Sequence, residues 1–84
     1  MGFSVKIEKE AHKALSKISA PDRVRLVHAI DKLETAPESG KPLQGHLRLL
    51  RSLRVGDYRV IYNVRHQELF VLIVRIGHRR EVYR

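Results

Sequence analysis

The sequence predicts an α+β fold with the element order β-α-α-β-β-β. Three observations predict this order. Apolar and polar residues alternate at the N-terminus, apolar residues recur at helical spacing between Lys9 and Leu33, and alternation returns from Leu49 onward. We expect the N-terminal helical hairpin to pack on an antiparallel sheet whose C-terminal part is a three-strand meander. Because 84 residues suffice for one modest core, we expect a single domain over residues 1–84.

The first two elements are a strand and a helix. Three apolar residues alternate with polar ones and predict a half-buried strand: Phe3, Val5 and Ile7. From Lys9 the period changes, and Ala11, Leu15 and Ile18 recur at helical spacing. Lys9, Lys13 and Lys17 form a solvent-exposed stripe on another face of this helix, so it has one side to bury and one to expose.

A second helix follows almost without a connection, as in a helical hairpin. Ser19 is its predicted N-cap, with Pro21 in the first turn and Asp22 at the position of a capping box. Its predicted apolar face consists of Leu26, Val27, Ile30 and Leu33. Two prolines and a glycine between residues 37 and 42 end the helix and open a loop.

Three strands are predicted in the C-terminal half. They cover Leu49–Val55, Tyr58–Arg65 and Leu69–Ile76, and the short turns Gly56–Asp57 and His66–Glu68 separate them. Connections this short join antiparallel neighbours. The last of the three is almost entirely apolar, which is typical of a strand inside a sheet.

The middle strand of this meander divides its side chains between two faces. Successive residues of a strand point to opposite sides of the sheet. If Val60 and Tyr62 pack under the helices, Arg59 and Ile61 face the open side. We therefore expect Tyr62, and also Tyr58, to serve packing rather than chemistry.

The charge of the chain points to an anionic partner. The formal net charge is +8 and the isoelectric point is near 10.5. Residues 1–47 hold eight basic and six acidic residues, whereas residues 48–84 hold nine basic and three acidic ones, and all nine are arginines. Arginine binds phosphate bidentately and keeps its charge, so this half is suited to a phosphate backbone. A solvated basic face without a special role is the alternative.

Several classes of site are disfavoured by composition. The chain has no cysteine, so a disulfide framework and a thiolate metal site are excluded, and its five histidines lack metal-ligand spacing. We expect neither a metal nor a cofactor. The longest apolar run, Leu69–Val74, is too short to span a membrane, and no secretory signal is visible. A cytoplasmic protein is the expectation.

Three segments carry a resemblance to a known family. They are the Lys-Pro-Leu loop at Lys41, the segment Arg54–Tyr62 (Arg-Val-Gly-Asp-Tyr-Arg-Val-Ile-Tyr) and the ending Gly77–Tyr83 (Gly-His-Arg-Arg-Glu-Val-Tyr). With them, nearly the whole chain resembles the RelE/ParE superfamily of toxins from toxin–antitoxin modules. The resemblance implies a RelE-like microbial RNase-type fold.

The resemblance to the RelE branch also implies a function. A RelE-like toxin is a ribosome-dependent endoribonuclease that cleaves mRNA in the ribosomal A site by metal-independent attack of the ribose 2′-hydroxyl. Its partners are the ribosome, mRNA and a cognate RelB-like antitoxin, with which it forms a hetero-oligomeric complex. No membrane takes part.

The resemblance assigns roles to individual residues. Arg59 matches the arginine that holds the scissile phosphate, Arg79 matches the one that stabilises charge or protonates the leaving group, and Tyr83 matches the tyrosine that stacks on or orients the nucleotide. Two lysines expected on the first meander strand, one a proposed general base, are absent, and the nearest basic residues are Arg51 and Arg54.

These departures leave the proton acceptor open. Arginine keeps its proton at any relevant pH and is a poor base. The candidates for the general base are His78, Glu81 and His46. The residues expected to bind RNA phosphates are Arg51, Arg54 and Arg80.

Two other functions stay open on the sequence. The first is a ParE-like inhibitor of DNA gyrase, in which the arginines are structural or contact an acidic protein surface. The second is a module that binds RNA or an antitoxin and whose catalysis has decayed.

Overall fold

Two helices cover one face of a five-stranded sheet. A computed structural model of the chain describes residues 2–45 and 49–78. In chain order the elements are β1 (Ser4–Ile7), α1 (Lys9–Ser16), α2 (Ala20–Lys32), β2 (Lys41–Pro42), β3 (Leu50–Val55), β4 (Tyr58–Arg65) and β5 (Phe70–His78). The predicted α+β class is confirmed, and the short strand β2 is an addition to the predicted order.

The strands are arranged in the order β1-β5-β4-β3-β2. The pairs β2–β3, β3–β4 and β4–β5 are antiparallel, which confirms the C-terminal meander. β1 is parallel to β5, with Ser4 opposite Phe70 and Ile7 opposite Ile73. The N-terminal strand thus closes one side of the meander, and β4 becomes the middle strand.

The core lies between the helices and the sheet. It is formed by the buried side chains Ala11, Leu15, Ile18, Leu26, Ile30, Leu33, Val60, Tyr62, Val71, Ile73 and Ile76. Val60 and Tyr62 are inaccessible to solvent, as the alternation predicts. The assignment of Val27 to the buried face was wrong, since Val27 is 38% exposed. It lies about 100° around the helix from Leu26, and the row Leu26, Ile30 and Leu33 is the one that meets the sheet.

The start of α2 differs from the predicted capping box. Ser19 is the N-cap residue and Pro21 lies in the first turn, as expected. The Ser19 side chain, however, makes no capping bond to a backbone N–H. Its hydroxyl lies 3.5 Å from Oδ2 of Asp22 instead, so the position of the N-cap is confirmed but the capping box was wrong. Within the described ranges, neither helix has the length and apolar character needed to cross a membrane.

The hydroxyl of Tyr62 fastens the loop after α2 to the sheet. It donates to the carbonyl of Pro37 and accepts from the N–H of Gly40, both at 2.8 Å. A Cβ at Gly40 would lie 2.7 Å from this hydroxyl, so the contact requires glycine. Arg51 donates to the Gly40 carbonyl at 2.7 Å. Burial raises the pKa of the Tyr62 phenol above its ordinary value of 10.0, and the Gly40 N–H and the Arg51 charge lower it only in part.

We expect Tyr62→Phe to lower the free energy of unfolding by about 2 kcal/mol, because it leaves the Gly40 N–H and the Pro37 carbonyl without their partner. The measurement is urea unfolding at neutral pH. Tyr58→Phe is the matched control, because the Tyr58 hydroxyl makes no hydrogen bond with other described residues and should cost less than about 0.5 kcal/mol. Equal stability of the two variants would contradict this role of Tyr62.

The raised pKa of Tyr62 also predicts a loss of stability at alkaline pH. As the pH rises above 10.0, the unfolded chain loses this proton first, so the free energy of unfolding falls. The slope for this one group reaches about 1.4 kcal/mol per pH unit until the folded pKa is passed. Unfolding of the wild-type chain and of Tyr62→Phe is compared from about pH 9 to about pH 11. The stability advantage of the wild type should shrink over this range, and a constant difference would refute the assignment.

Candidate functional site

The face of the sheet opposite the helices carries the candidate site. Two rows of cross-strand neighbours run over β3, β4 and β5 on this face. The first row contains Arg54, Arg59 and Gly77. The second row contains Ser52, Ile61 and Arg75. We call these six residues the arginine face, because they place three guanidinium groups on neighbouring strands and include no carboxylate.

A register break in β5 determines the composition of the arginine face. Ile61 pairs with Arg75, but the next residue, Tyr62, pairs with Ile73, so Val74 is an extra residue without a partner on β4. In a regular strand Ile73 and Arg75 would point to the same side. The extra residue instead leaves Ile73 in the core and places Arg75 opposite Ile61 on the other side of the sheet. This side is only partly open, because Ile61 is buried, whereas Arg75 is exposed and lines a depression shared with Glu10 of α1.

A buried hydroxyl holds the guanidinium of Arg59. Nη1 of Arg59 donates to Oγ of Ser52 at 3.3 Å. Ser52 is 6% exposed and is the one buried polar residue among the residues that the structure describes. Arg54, directly opposite Arg59, turns towards the hairpin, where its Nε lies 3.4 Å from the Gly56 carbonyl. The two like charges thus bond in different directions, which limits the repulsion expected of a cross-strand pair.

The arginine face is suited to bind phosphate. Guanidinium groups stay protonated at any relevant pH and offer planar arrays of donors. Arg59 is half-buried, whereas Arg54 and Arg75 are exposed. A half-buried, positioned cation next to exposed ones can hold one phosphate closely and guide its neighbours. Gly77, the neighbour of Arg59 on β5, has no side chain and therefore leaves space beside the Arg59 guanidinium.

The structure brings together some of the predicted site residues and separates others. Arg59 and Arg54 share the arginine face. Arg51 lies on the opposite pleat and donates to backbone carbonyls of the loop after α2. His78 pairs with Tyr58, and their rings meet edge to face at 5.8 Å on the pleat that faces the helices. Neither Arg51 nor His78 is therefore beside Arg59.

The remaining predicted site residues lie outside the described ranges: His46, Arg79, Arg80, Glu81 and Tyr83. Sequence reasoning missed Ser52 and Arg75. Ser52 could have been found from the sequence, because it lies two residues from Arg54 in the same strand and therefore on the same face of the sheet. Arg75 could not, because its orientation depends on the register break. Among residues 2–45 and 49–78, no three His, Asp or Glu side chains cluster as a metal site, and a metal-free reaction stays a prediction.

The chain matches a toxin family over most of its length. A family model described as the ParE toxin of the type II toxin–antitoxin system, parDE, matches residues 5–83. Toxin RelG from Mycobacterium tuberculosis (strain ATCC 25618 / H37Rv) is 31% identical over 86 residues, which cover 100% of this chain and 99% of that protein.

Solved structures share the fold. A chain of the toxin–antitoxin complex RelBE2 from Mycobacterium tuberculosis superposes with a TM-score of 0.87 at 28% identity, and the match covers 94% of this chain and 100% of that one. The archaeal RelE–RelB complex from Pyrococcus horikoshii OT3 gives a TM-score of 0.81 at 33% identity, covering 98% and 100%. The chain therefore belongs to the RelE/ParE superfamily and is a toxin of a type II toxin–antitoxin system.

Proposed function

We propose that the chain is a ribosome-dependent endoribonuclease that cleaves mRNA in the ribosomal A site without a metal ion. The observation that carries this proposal is the position of Arg59. It is half-buried, bonded to Ser52 and placed near Arg54 and Arg75, and none of the six residues of the arginine face is acidic. Such a face fits a phosphodiester better than an acidic protein surface, because Ser52 presents the guanidinium at a fixed place rather than on a mobile side chain.

The proposed reaction forms a bond from the ribose 2′-oxygen to phosphorus and breaks the bond from phosphorus to the 5′-oxygen. The enzyme must accept the 2′-proton, stabilise the extra charge on phosphorus and protonate the departing oxygen. Arg59 holds the scissile phosphate and offsets the added charge, at about 3 kcal/mol per well-placed donor. Arg79 stabilises the charge on the leaving 5′-oxygen or donates the proton to it, and Tyr83 stacks on the nucleotide, which contributes about 1–3 kcal/mol.

Three residues are candidates for the group that accepts the 2′-proton: His78, Glu81 and His46. The imidazole of His78 packs against Tyr58 on the helix-covered side of the sheet, away from Arg59. We therefore assign the acceptor to Glu81 or His46. The exposed Arg54 and Arg75, together with Arg80, would bind neighbouring RNA phosphates, and ribosomal RNA would attract the basic chain in the cytoplasm.

The proposed protein partner is an acidic, RelB-like antitoxin. The likeness to the RelBE2 and archaeal RelE–RelB complexes supports this class of partner. On the outer side of α2, Val24 is 53% and Val27 is 38% exposed. They line a depression of about 300 Å³, which meets a second one of about 360 Å³ at His28. The cations beside them are Arg23, Arg25 and Lys32.

This surface of α2 fits an amphipathic acidic segment of the antitoxin. Two adjacent valines supply apolar contact, and the surrounding cations favour carboxylates on the partner. A second copy of the chain is disfavoured there, because each copy carries a formal net charge of +8.

A second candidate function is inhibition of DNA gyrase. The matching family model is described as a ParE toxin, and this observation favours it. In that case the arginine face would contact an acidic protein surface or serve stability. A third candidate, a module with decayed catalysis, would bind RNA or the antitoxin without cleaving.

We expect Arg59→Ala to reduce mRNA cleavage on translating ribosomes by about 10²–10³-fold, because it removes a positioned donor to the phosphate. Arg59→Lys should restore only a small part, since a lysine lacks the planar fork. Primer extension on mRNA from expressing cells measures the cuts. As the control for folding, both variants should bind the antitoxin with the affinity of the wild type.

The same experiment separates the three functions. Discrete cuts within translated codons support the nuclease. Intact mRNA accompanied by gyrase-linked DNA breaks would replace it with the ParE-like function, and the absence of growth inhibition would indicate the decayed module. Arg59→Ala that cleaves like the wild type would refute the assigned role of Arg59.

The α2 surface is tested by the double variant Val24→Asp/Val27→Asp. We expect antitoxin affinity to fall by at least about tenfold, because carboxylates replace the apolar contact and repel an acidic partner. Isothermal titration against the cognate antitoxin measures it. Leu69→Asp is the matched control, since Leu69 is also an exposed apolar residue but lies in the β4–β5 turn. Loss of affinity in the control with none in the double variant would place the interface elsewhere.

A further inference from the structure

We propose that Ser52 is a positioning residue whose buried hydroxyl holds the Arg59 guanidinium in the orientation that receives the scissile phosphate. This inference rests on the proposed function. The family resemblance assigns no role to Ser52, and the role proposed here is inferred from its position on the arginine face. Its Oγ accepts from Nη1 of Arg59 at 3.3 Å.

The register of β3 and β4 explains why these two residues meet. Ser52 lies directly opposite Ile61, and Arg59 is two residues from Ile61 on the same face. Such diagonal neighbours are about 7–8 Å apart at the backbone, within reach of a long side chain but not of a short one. The serine therefore stays at the sheet surface and the arginine extends to it.

Burial makes the Ser52 hydroxyl a strong anchor. A buried hydroxyl has little access to water, so its hydrogen bond to Arg59 is hard to exchange for one to water. Ser52 itself has little freedom, because its short side chain is 6% exposed and lies in the interior of a paired strand. A fixed acceptor next to a flexible arginine restricts the arginine and not the reverse.

Repulsion from Arg54 explains why the Arg59 guanidinium needs a hydrogen bond that holds it in place. Arg54 is the direct cross-strand partner of Arg59, and two like charges at that distance repel each other. A bond from Arg59 to Ser52 directs its guanidinium along the strand and away from Arg54. A neutral hydroxyl does this without cancelling the guanidinium charge, whereas a carboxylate at the same place would compete with the phosphate.

The test compares Ser52→Ala with Ser52→Thr in single-turnover cleavage of mRNA on purified ribosomes. We expect Ser52→Ala to slow the first-order rate by about tenfold while the ribosome concentration at half-maximal rate changes by less than about twofold, as for loss of a charged hydrogen bond in the reacting state. Ser52→Thr keeps the hydroxyl and should stay within about threefold of the wild type. Unchanged thermal midpoints and antitoxin affinities show that the variants fold.

A double-mutant cycle tests whether Ser52 acts through Arg59. In the Arg59→Ala background, Ser52→Ala should have no further effect beyond about twofold, because the guanidinium that it positions is gone. Additive losses would overturn the inference, as would a wild-type rate for Ser52→Ala or equal losses in the alanine and threonine variants.

A measurement without cleavage separates this inference from the proposed nuclease. Nitrogen-15 NMR of the arginine side chains follows rotation about the Nε–Cζ bond of Arg59. Slow rotation in the wild type and in Ser52→Thr, with faster rotation in Ser52→Ala, supports the anchor. Equal rotation in all three chains overturns it. If the anchor is present but Arg59→Ala leaves cleavage intact, the proposed role of Arg59 has failed and the contact itself stands.

Discussion

The pairing of β4 with both of its neighbours determines what reaches each face of the sheet. Because side chains alternate along β4, Val60 and Tyr62 enter the core and Arg59 must lie on the opposite face. The pairing with β3 adds Ser52 and Arg54 to that face. The pairing with β5 would add core residues there if the register were regular. The extra residue Val74 prevents this and completes the arginine face with Arg75 and Gly77.

The same alternation gives arginines of one strand different tasks. Arg51 and Arg54 are three residues apart in β3 and therefore point to opposite sides. Arg51 donates to the Gly40 carbonyl at 2.7 Å and, with the Tyr62 hydroxyl, fastens the loop that delivers β2 to the sheet. A guanidinium used in this way stabilises the fold. The register of β3 therefore distinguishes Arg51, which holds this loop, from Arg54, which lies on the arginine face.

Much of the fold could be predicted from the sequence, since period and turn residues are local signals. The helices, the meander and the burial of Tyr62 follow from them. What failed depended on tertiary packing. Val27 lies at the edge of the apolar stripe of α2. Whether such an edge residue is buried depends on how the helix is oriented on the sheet, which periodicity does not show. The orientation of Arg75 needs the register break, and the parallel pairing of β1 with β5 joins segments too distant along the chain for periodicity to relate them.

The two surfaces assigned to partners lie on opposite sides of the sheet, and this constrains how an antitoxin can act. A segment seated on Val24 and Val27 of α2 leaves the arginine face uncovered, because the core separates them. The shortest extent of the structure is 21 Å, so a connection that passes around the edge of the sheet needs at least about seven extended residues. An antitoxin that inhibits by covering Arg59 must therefore contribute a second segment, and the α2 surface would then provide affinity through effective concentration rather than inhibition itself.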